Sequence, residues 1–242
     1  DDKKIESNKC SNGGACAPYR RLHVCDKNMV KMDTNNDDSS KAKHNLLVDV
    51  CMAAKYEGES IKTHYPKYDA EYPSGSSFTT CTMLARSFAD IGDIVRGKDL
   101  FRGNKKENKQ RDRLEENLKT IFKQIHDDVT STSGKNRLAL QERYKEDPDK
   151  NYSKLREDWW NANRQEVWKA ITCGTHDGAS YFRATCDINN EKGPSVAQKQ
   201  CRCDGKPKGG KAGKGSGDVN IVPTYFDYVP QYLRWFEEWA ED

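Results

Sequence analysis

The sequence predicts a mainly α-helical protein stapled by disulfides, and three observations carry that prediction. Apolar residues recur at three- and four-residue spacing over several long stretches, the period of one face of a helix. Strand signals are sparse. Nine cysteines (Cys10, Cys16, Cys25, Cys51, Cys81, Cys173, Cys186, Cys201 and Cys203) sit in a chain of 242 residues, of which 34% are hydrophobic and 33% charged. A chain this polar has little apolar surface to bury, and covalent crosslinks compensate for that. Disulfides point to an oxidising compartment, and buried free thiols in a cytosolic protein are the less favoured alternative. Each bridge that closes a loop of tens of residues contributes about 3–4 kcal/mol. The cysteine count is odd, so either one thiol is free or its partner lies outside this sequence.

Residues 1–40 read as a loop-rich first subdomain, with turn chemistry at Gly13-Gly14, Pro18, Asn35-Asn36 and Asp37-Asp38-Ser39-Ser40. Residues 41–229 read as a helical second subdomain carrying long polar loops. Its first helix places Leu46, Leu47, Val50, Cys51 and Ala54 on one side, with Gly58 as the expected stop. The second starts after Pro73-Ser74-Gly75, with a Ser or Thr cap between Ser76 and Thr79. It carries Cys81, Leu84, Ala85, Phe88, Ile91 and Val95, and Gly97 ends it. Residues 111–130 give the cleanest stripe: Leu114, Leu118, Ile121, Phe122 and Ile125. A short helix covers Arg137 to Lys145, and a longer one Tyr152 to about Thr172. Trp159, Trp168, Phe122 and Phe88 read as core. Trp160 must point elsewhere and carry its indole N–H to a polar partner or cover another subdomain. The glycine- and lysine-rich stretch from Gly205 to Gly217 reads as a surface loop. Pro230 opens a last helix with Tyr232, Leu233, Phe236, Trp239 and Ala240 on an apolar face that needs a partner. Residues 230–242 are expected to begin a third subdomain, and the chain, which opens on Asp1-Asp2-Lys3-Lys4, to be an internal piece of a longer protein.

Basic and acidic side chains, 41 and 38, nearly cancel, which excludes a strongly basic nucleic-acid-binding chain. No run of about 18 apolar residues is present to cross or enter a membrane. There is no His-Glu-x-x-His or Gly-x-Ser-x-Gly pattern, and the Gly213-Lys214 loop lacks the spacing of a phosphate-binding loop. Cys201 and Cys203, with Cys173, Cys186 or His176, lack the usual two-residue gap of a zinc knuckle, so disulfides are expected ahead of metal. No enzyme activity and no cofactor are expected.

Four segments resemble a known family. They are Gly14 to Cys25, Leu84 to Phe101, Trp159-Trp160 with Val167 to Cys173, and Tyr228 to Trp239. Together they resemble the Duffy-binding-like (DBL) domain, alpha class, of the malaria parasite variant erythrocyte membrane protein (the PfEMP1 family). The resemblance implies a helical fold of three subdomains, the third truncated here. It implies an ectodomain on the extracellular face of the infected host-cell membrane, a variable antigen met by antibodies. Its implied partners are host erythrocyte receptors and heparan-sulfate-like glycans, the contacts of cytoadherence and rosetting. A structural or decoy role, with variable loops evading antibodies while neighbouring domains bind, is the alternative. The third subdomain of the family also bears cysteines, so the unpaired sulfur is expected to bridge to a partner beyond Asp242.

Basic clusters are the candidates for a polyanion site. Residues 98–113 hold seven basic residues against three acidic ones, and Lys105, Lys106, Lys109, Arg111 and Arg113 are the expected glycan contacts. A helix N-terminus there would add free backbone N–H groups. Residues 202–218 form a second cluster, and Arg20 with Arg21 a third, for which the neighbouring cysteines offer a structural role as the alternative.

Overall fold

The computed structural model describes residues 16–34, 39–71, 80–131, 137–145, 151–186, 193–203 and 222–241. The cap expected between Ser76 and Thr79, the loop from Gly205 to Gly217 and Cys10 lie outside them. Two single-turn helices, α1 (Tyr19–Leu22) and α2 (Lys27–Val30), lead into α3 (Ser39–Glu71). Then come α4 (Thr80–Arg96), α5 (Lys105–Ser131), α6 (Arg137–Arg143) and α7 (Ser153–Ile171). A small antiparallel pair, β1 (Ala184–Cys186) and β2 (Ser195–Val196), is followed by a 3₁₀ turn, Phe226–Tyr228, and α8 (Gln231–Glu241).

Helix α4 is the axis of the bundle. Fifteen of its residues are buried, because α3 and α7 pack on it and α1, the 3₁₀ turn and α8 close its remaining sides. Gly92 lies where a Cβ would come within 2.7 Å of the Trp160 indole, so its poor helix propensity is outweighed by the close approach it permits. Gly97 ends α4 at φ +72, with Lys98 N–H donating to the Asp93 carbonyl (2.8 Å), as αL-capped helix ends do.

Gly58 does not stop α3. The helix runs through it because a Cβ there would sit 2.1 Å from the Ile171 carbonyl oxygen; the glycine serves the α3–α7 contact. The stripe Ala42, Leu46, Val50, Ala53, Ala54 and Ile61 is buried along this helix. The five apolar residues expected on α5 are all buried. Phe88, Phe122, Trp159 and Trp168 are core residues. Trp160 is fully buried too, with its indole Nε1–H donating to Asp227 Oδ2 at 2.9 Å.

Disulfides Cys81–Cys201 and Cys186–Cys203 tie the β-pair region to α4 and to itself. The first spans 120 residues, and loop closure of that size corresponds to about 5 kcal/mol. Cys16 is also disulfide-bonded. Cys25, Cys51 and Cys173 carry free thiols, so among the described residues the framework is narrower than all nine cysteines, and more than one thiol is free.

Candidate functional site

The cationic stretch predicted to meet a polyanion forms the start of α5. The helix begins at Lys105, earlier than the apolar stripe alone indicates, because Asn104 caps it. Asn104 Oδ1 accepts from the N–H groups of Lys106 (2.9 Å) and Glu107 (3.1 Å), while Glu107 Oε2 accepts from Asn104 N–H (2.8 Å). This reciprocal box corrects the expectation of free N–H groups: the cap uses them and sets a carboxylate beside them. The Asn104-x-x-Glu107 spacing is legible in the sequence.

At about 100° per residue, Lys105, Lys109, Arg113 and Lys106 fall within an arc of about 100° on α5. All four are exposed, and none makes an ion pair with a described residue. Arg102, exposed in the preceding loop, extends the face. Asp112 flanks it, and Glu116, paired with Lys119 at 3.9 Å, ends it.

Arg111 does not belong to this face. Its phase on the helix matches the buried stripe of Leu114 and Leu118, and its guanidinium turns inward to donate to the carbonyls of Asp99 and Phe101. Arg111 is therefore removed from the set of glycan contacts. Burial and the neighbouring Arg102 and Arg21 outweigh Asp99 and lower its pKa. The helical phase was the signal that could have shown this.

The described arginines of the other two basic clusters are committed to contacts within the protein. Arg202 donates to Thr172 Oγ1 and the Lys169 carbonyl, both at 2.8 Å; residues 204–218 of that cluster lie outside the described residues. Arg21 pairs bidentately with Asp99 and stacks on Phe101. Arg20 pairs with Glu238 through two bonds of 3.0 and 2.8 Å and with Asp90 at 2.7 Å.

These arginines open a buried network that joins α1, α4 and α8. Arg234 reaches Asp90 (2.8 Å) and Asp93 (2.5 Å), Arg96 reaches Asp93 (2.8 Å), and Gln231 bridges Asp90 and Asp99 (3.0 and 2.8 Å). Nearby, Arg164 and the Trp160 indole converge on Asp227. Burial opposes the charge on Asp90, yet Arg20 and Arg234 outweigh it and hold its carboxyl far below the ordinary range. Burial instead pushes Asp93 up to about 6 despite Arg234 and Arg96. All four segments that carry the family resemblance contribute side chains to this interior, and those side chains are committed to the fold.

A cavity of about 810 Å³ lies between the α1–α2 segment and the start of α5, lined among others by Arg21, Cys25, Asn28, Asp99, Arg111 and Leu114. Arg21 and Arg111 in its lining both pair with Asp99, and none of Lys105, Lys106, Lys109 or Arg113 lines it. No three His, Cys, Asp or Glu side chains among the described residues are grouped to hold a metal ion. The sulfurs of Cys186, Cys201 and Cys203 are in bridges. No described helix is long and apolar enough to cross a membrane.

The chain matches the Duffy binding domain family over residues 14–234, and it belongs to that family. Membership makes it a module of an adhesion-domain family and not an enzyme. Its fold is similar to that of the NTS-DBL1(alpha-1) domain of the Plasmodium falciparum membrane protein PfEMP1 from the varO strain. The identity is 38% and the TM-score 0.65, over 93% of this chain and 43% of that one. The varO double domain of NTS-DBL1-alpha and CIDR-gamma matches with 38% identity and a TM-score of 0.66, over 93% of this chain and 28% of that one. A PfEMP1 IT4var13 DBLbeta domain, solved bound to ICAM-1, matches at 29% identity with a TM-score of 0.58, over 93% and 44% of the two chains. No curated protein matches the chain. The chain thus spans less than half the length of these solved relatives.

Proposed function

We propose that this DBL chain is an adhesion module of a variant antigen displayed on the outer face of infected erythrocytes. In this reading it binds heparan-sulfate-like glycans through Lys105, Lys106, Lys109 and Arg113, and contacts host red cells in cytoadherence and rosetting. The observation that carries the glycan assignment is the row of exposed cations on the first turns of α5 without ion-pair partners among the described residues. Other surface lysines are neutralised locally, as in Lys55–Glu59, Lys123–Asp127 and Lys169–Glu166. An uncompensated row spaced along one helix face attracts a linear polyanion through its summed field. Host protein receptors are a second partner class, supported by the ICAM-1 complex of a relative, and exposed loops are where antibodies would meet the antigen. In the same reading residues 1–40 and 41–229 form the first two subdomains, and 230–242 opens the third.

Heparin-affinity chromatography of the folded, oxidised protein tests the site. The triple variant K105E/K106E/K109E is expected to elute at much lower salt than wild type, with an affinity loss of tenfold or more. Wild-type binding is expected to weaken steadily with added salt, as screening requires. Equal elution of variant and wild type, or binding that resists high salt, overturns the assignment.

A further inference from the structure

We infer that the junction between α1 and α8 is a mechanical clasp, which takes up tension applied to the segments flanking it and keeps it out of the helices between. Cys16 and Trp239 are 223 residues apart, yet the Trp239 indole Nε1–H donates to the Cys16 carbonyl at 2.8 Å. Close by, Arg20 and Glu238 form a bidentate pair whose side chains are 7% and 5% exposed. Both sides of the junction are also riveted to α4. Arg20 reaches Asp90 and Ser87 there, and Arg234 reaches Asp90 and Asp93.

Pulling the chain on either side of the bundle therefore loads these contacts first. A shielded, bidentate charge pair is costly to separate, because opening it strands both charges unless water enters. Behind the clasp, the Cys81–Cys201 bridge covalently short-circuits 120 residues, so even after the clasp opens that interval cannot extend. A module that holds one cell to another bears load, so the use of the clasp rests on the adhesion reading, whereas the clasp itself does not.

Single-molecule pulling from the two ends of the chain, with disulfides intact, tests this. Two ruptures are expected. The first frees the α1 and α8 segments, about 20 residues or on the order of 70 Å of extended chain. The second extends the remaining residues outside the Cys81–Cys201 bridge. Glu238→Gln, which keeps the shape and removes the charge, is expected to lower the first rupture force and leave the second unchanged. Trp239→Phe removes the indole donor together with part of the ring and is expected to act in the same direction, which covers the case that Glu238→Gln fails to fold. A single rupture in wild type overturns the inference, as does an unchanged first force in the folded variants or an equal fall in both forces. Loss of heparin binding in the α5 charge-reversal variant with both ruptures intact would leave the clasp standing, so the two readings fail separately.

Discussion

Asp227→Asn probes whether the buried charge cluster around the Trp160 indole builds the fold or meets a ligand. The Asp227 carboxylate is buried and accepts from Arg164 Nε and Nη2, both at 2.8 Å, and from the Trp160 indole at 2.9 Å. Asparagine keeps the shape but removes the charge and one acceptor. Arg164, 5% exposed and enclosed by the rings of Phe88 and Tyr228, then keeps only the Thr224 carbonyl as a polar partner beyond the new amide. Removing one member of a buried ion pair costs about 3–5 kcal/mol. For a chain of this size that lowers the melting temperature by roughly 8–16 °C, taking about 4 kcal/mol. Urea denaturation of Asp227→Asn, Arg164→Met and the double variant measures it. The double variant should be less destabilised than the sum of the singles by about 2 kcal/mol or more, because no orphaned charge remains. Heparin affinity of the folded Asp227→Asn protein should equal that of wild type. A cost below about 1 kcal/mol, strict additivity, or loss of heparin binding by folded protein would refute the reasoning.

Stability should rise as pH falls from about 6 towards about 4 and fall again below about 3.8. Asp93, raised from 3.8 to about 6, takes up a proton more readily folded than unfolded, so its contribution grows as pH falls from 6 towards 3.8. Asp90, lowered from 3.8, contributes stability above 3.8 that is lost as pH falls further. A melting temperature that falls steadily from pH 7 to 5, or the same profile in Asp93→Asn, contradicts this. Alkylation at pH 8 should modify Cys173 well before Cys25 and Cys51. Cys173 is exposed. Burial, with Glu57 beside Cys25 and Glu166 beside Cys51, pushes those two thiols up to about 11 and leaves little thiolate; equal rates measured by mass spectrometry would count against it. Gly58→Ala should destabilise by at least about 1–3 kcal/mol, because the added methyl meets a backbone carbonyl and not a yielding side chain. A neutral or stabilising effect in denaturant titration would show that α3 and α7 can separate at no cost.

Periodicity alone made the helices legible, since the stripes Leu114–Leu118–Ile121–Phe122–Ile125 and Leu84–Phe88–Ile91–Val95 record which side of each helix faces apolar neighbours. The resemblance segments likewise made the family legible. The same helical phase, carried from the leucines to the basic residues, separates outward Lys105, Lys106, Lys109 and Arg113 from inward Arg111. What periodicity could not show is where charged faces meet. The apolar face of α8, with Tyr232, Leu233 and Phe236, stays exposed, while its opposite side of Gln231, Arg234, Trp235 and Glu238 is the one buried on α4. Asp90 and Asp93, more than a hundred residues earlier, draw that polar side inward by offering Arg234 buried countercharges.

The sequence by itself determined the helical class, the family and the position of the exposed cationic row, because each is written in local spacing. Tertiary structure alone decided which cysteines pair, that Gly58 and Gly92 serve contacts inside helices, and that Arg20, Arg21 and Arg234 neutralise buried carboxylates. Those outcomes depend on which groups distant segments bring within hydrogen-bonding reach in a dry interior, where an unpaired charge costs several kcal/mol, about as much as any one packing choice contributes.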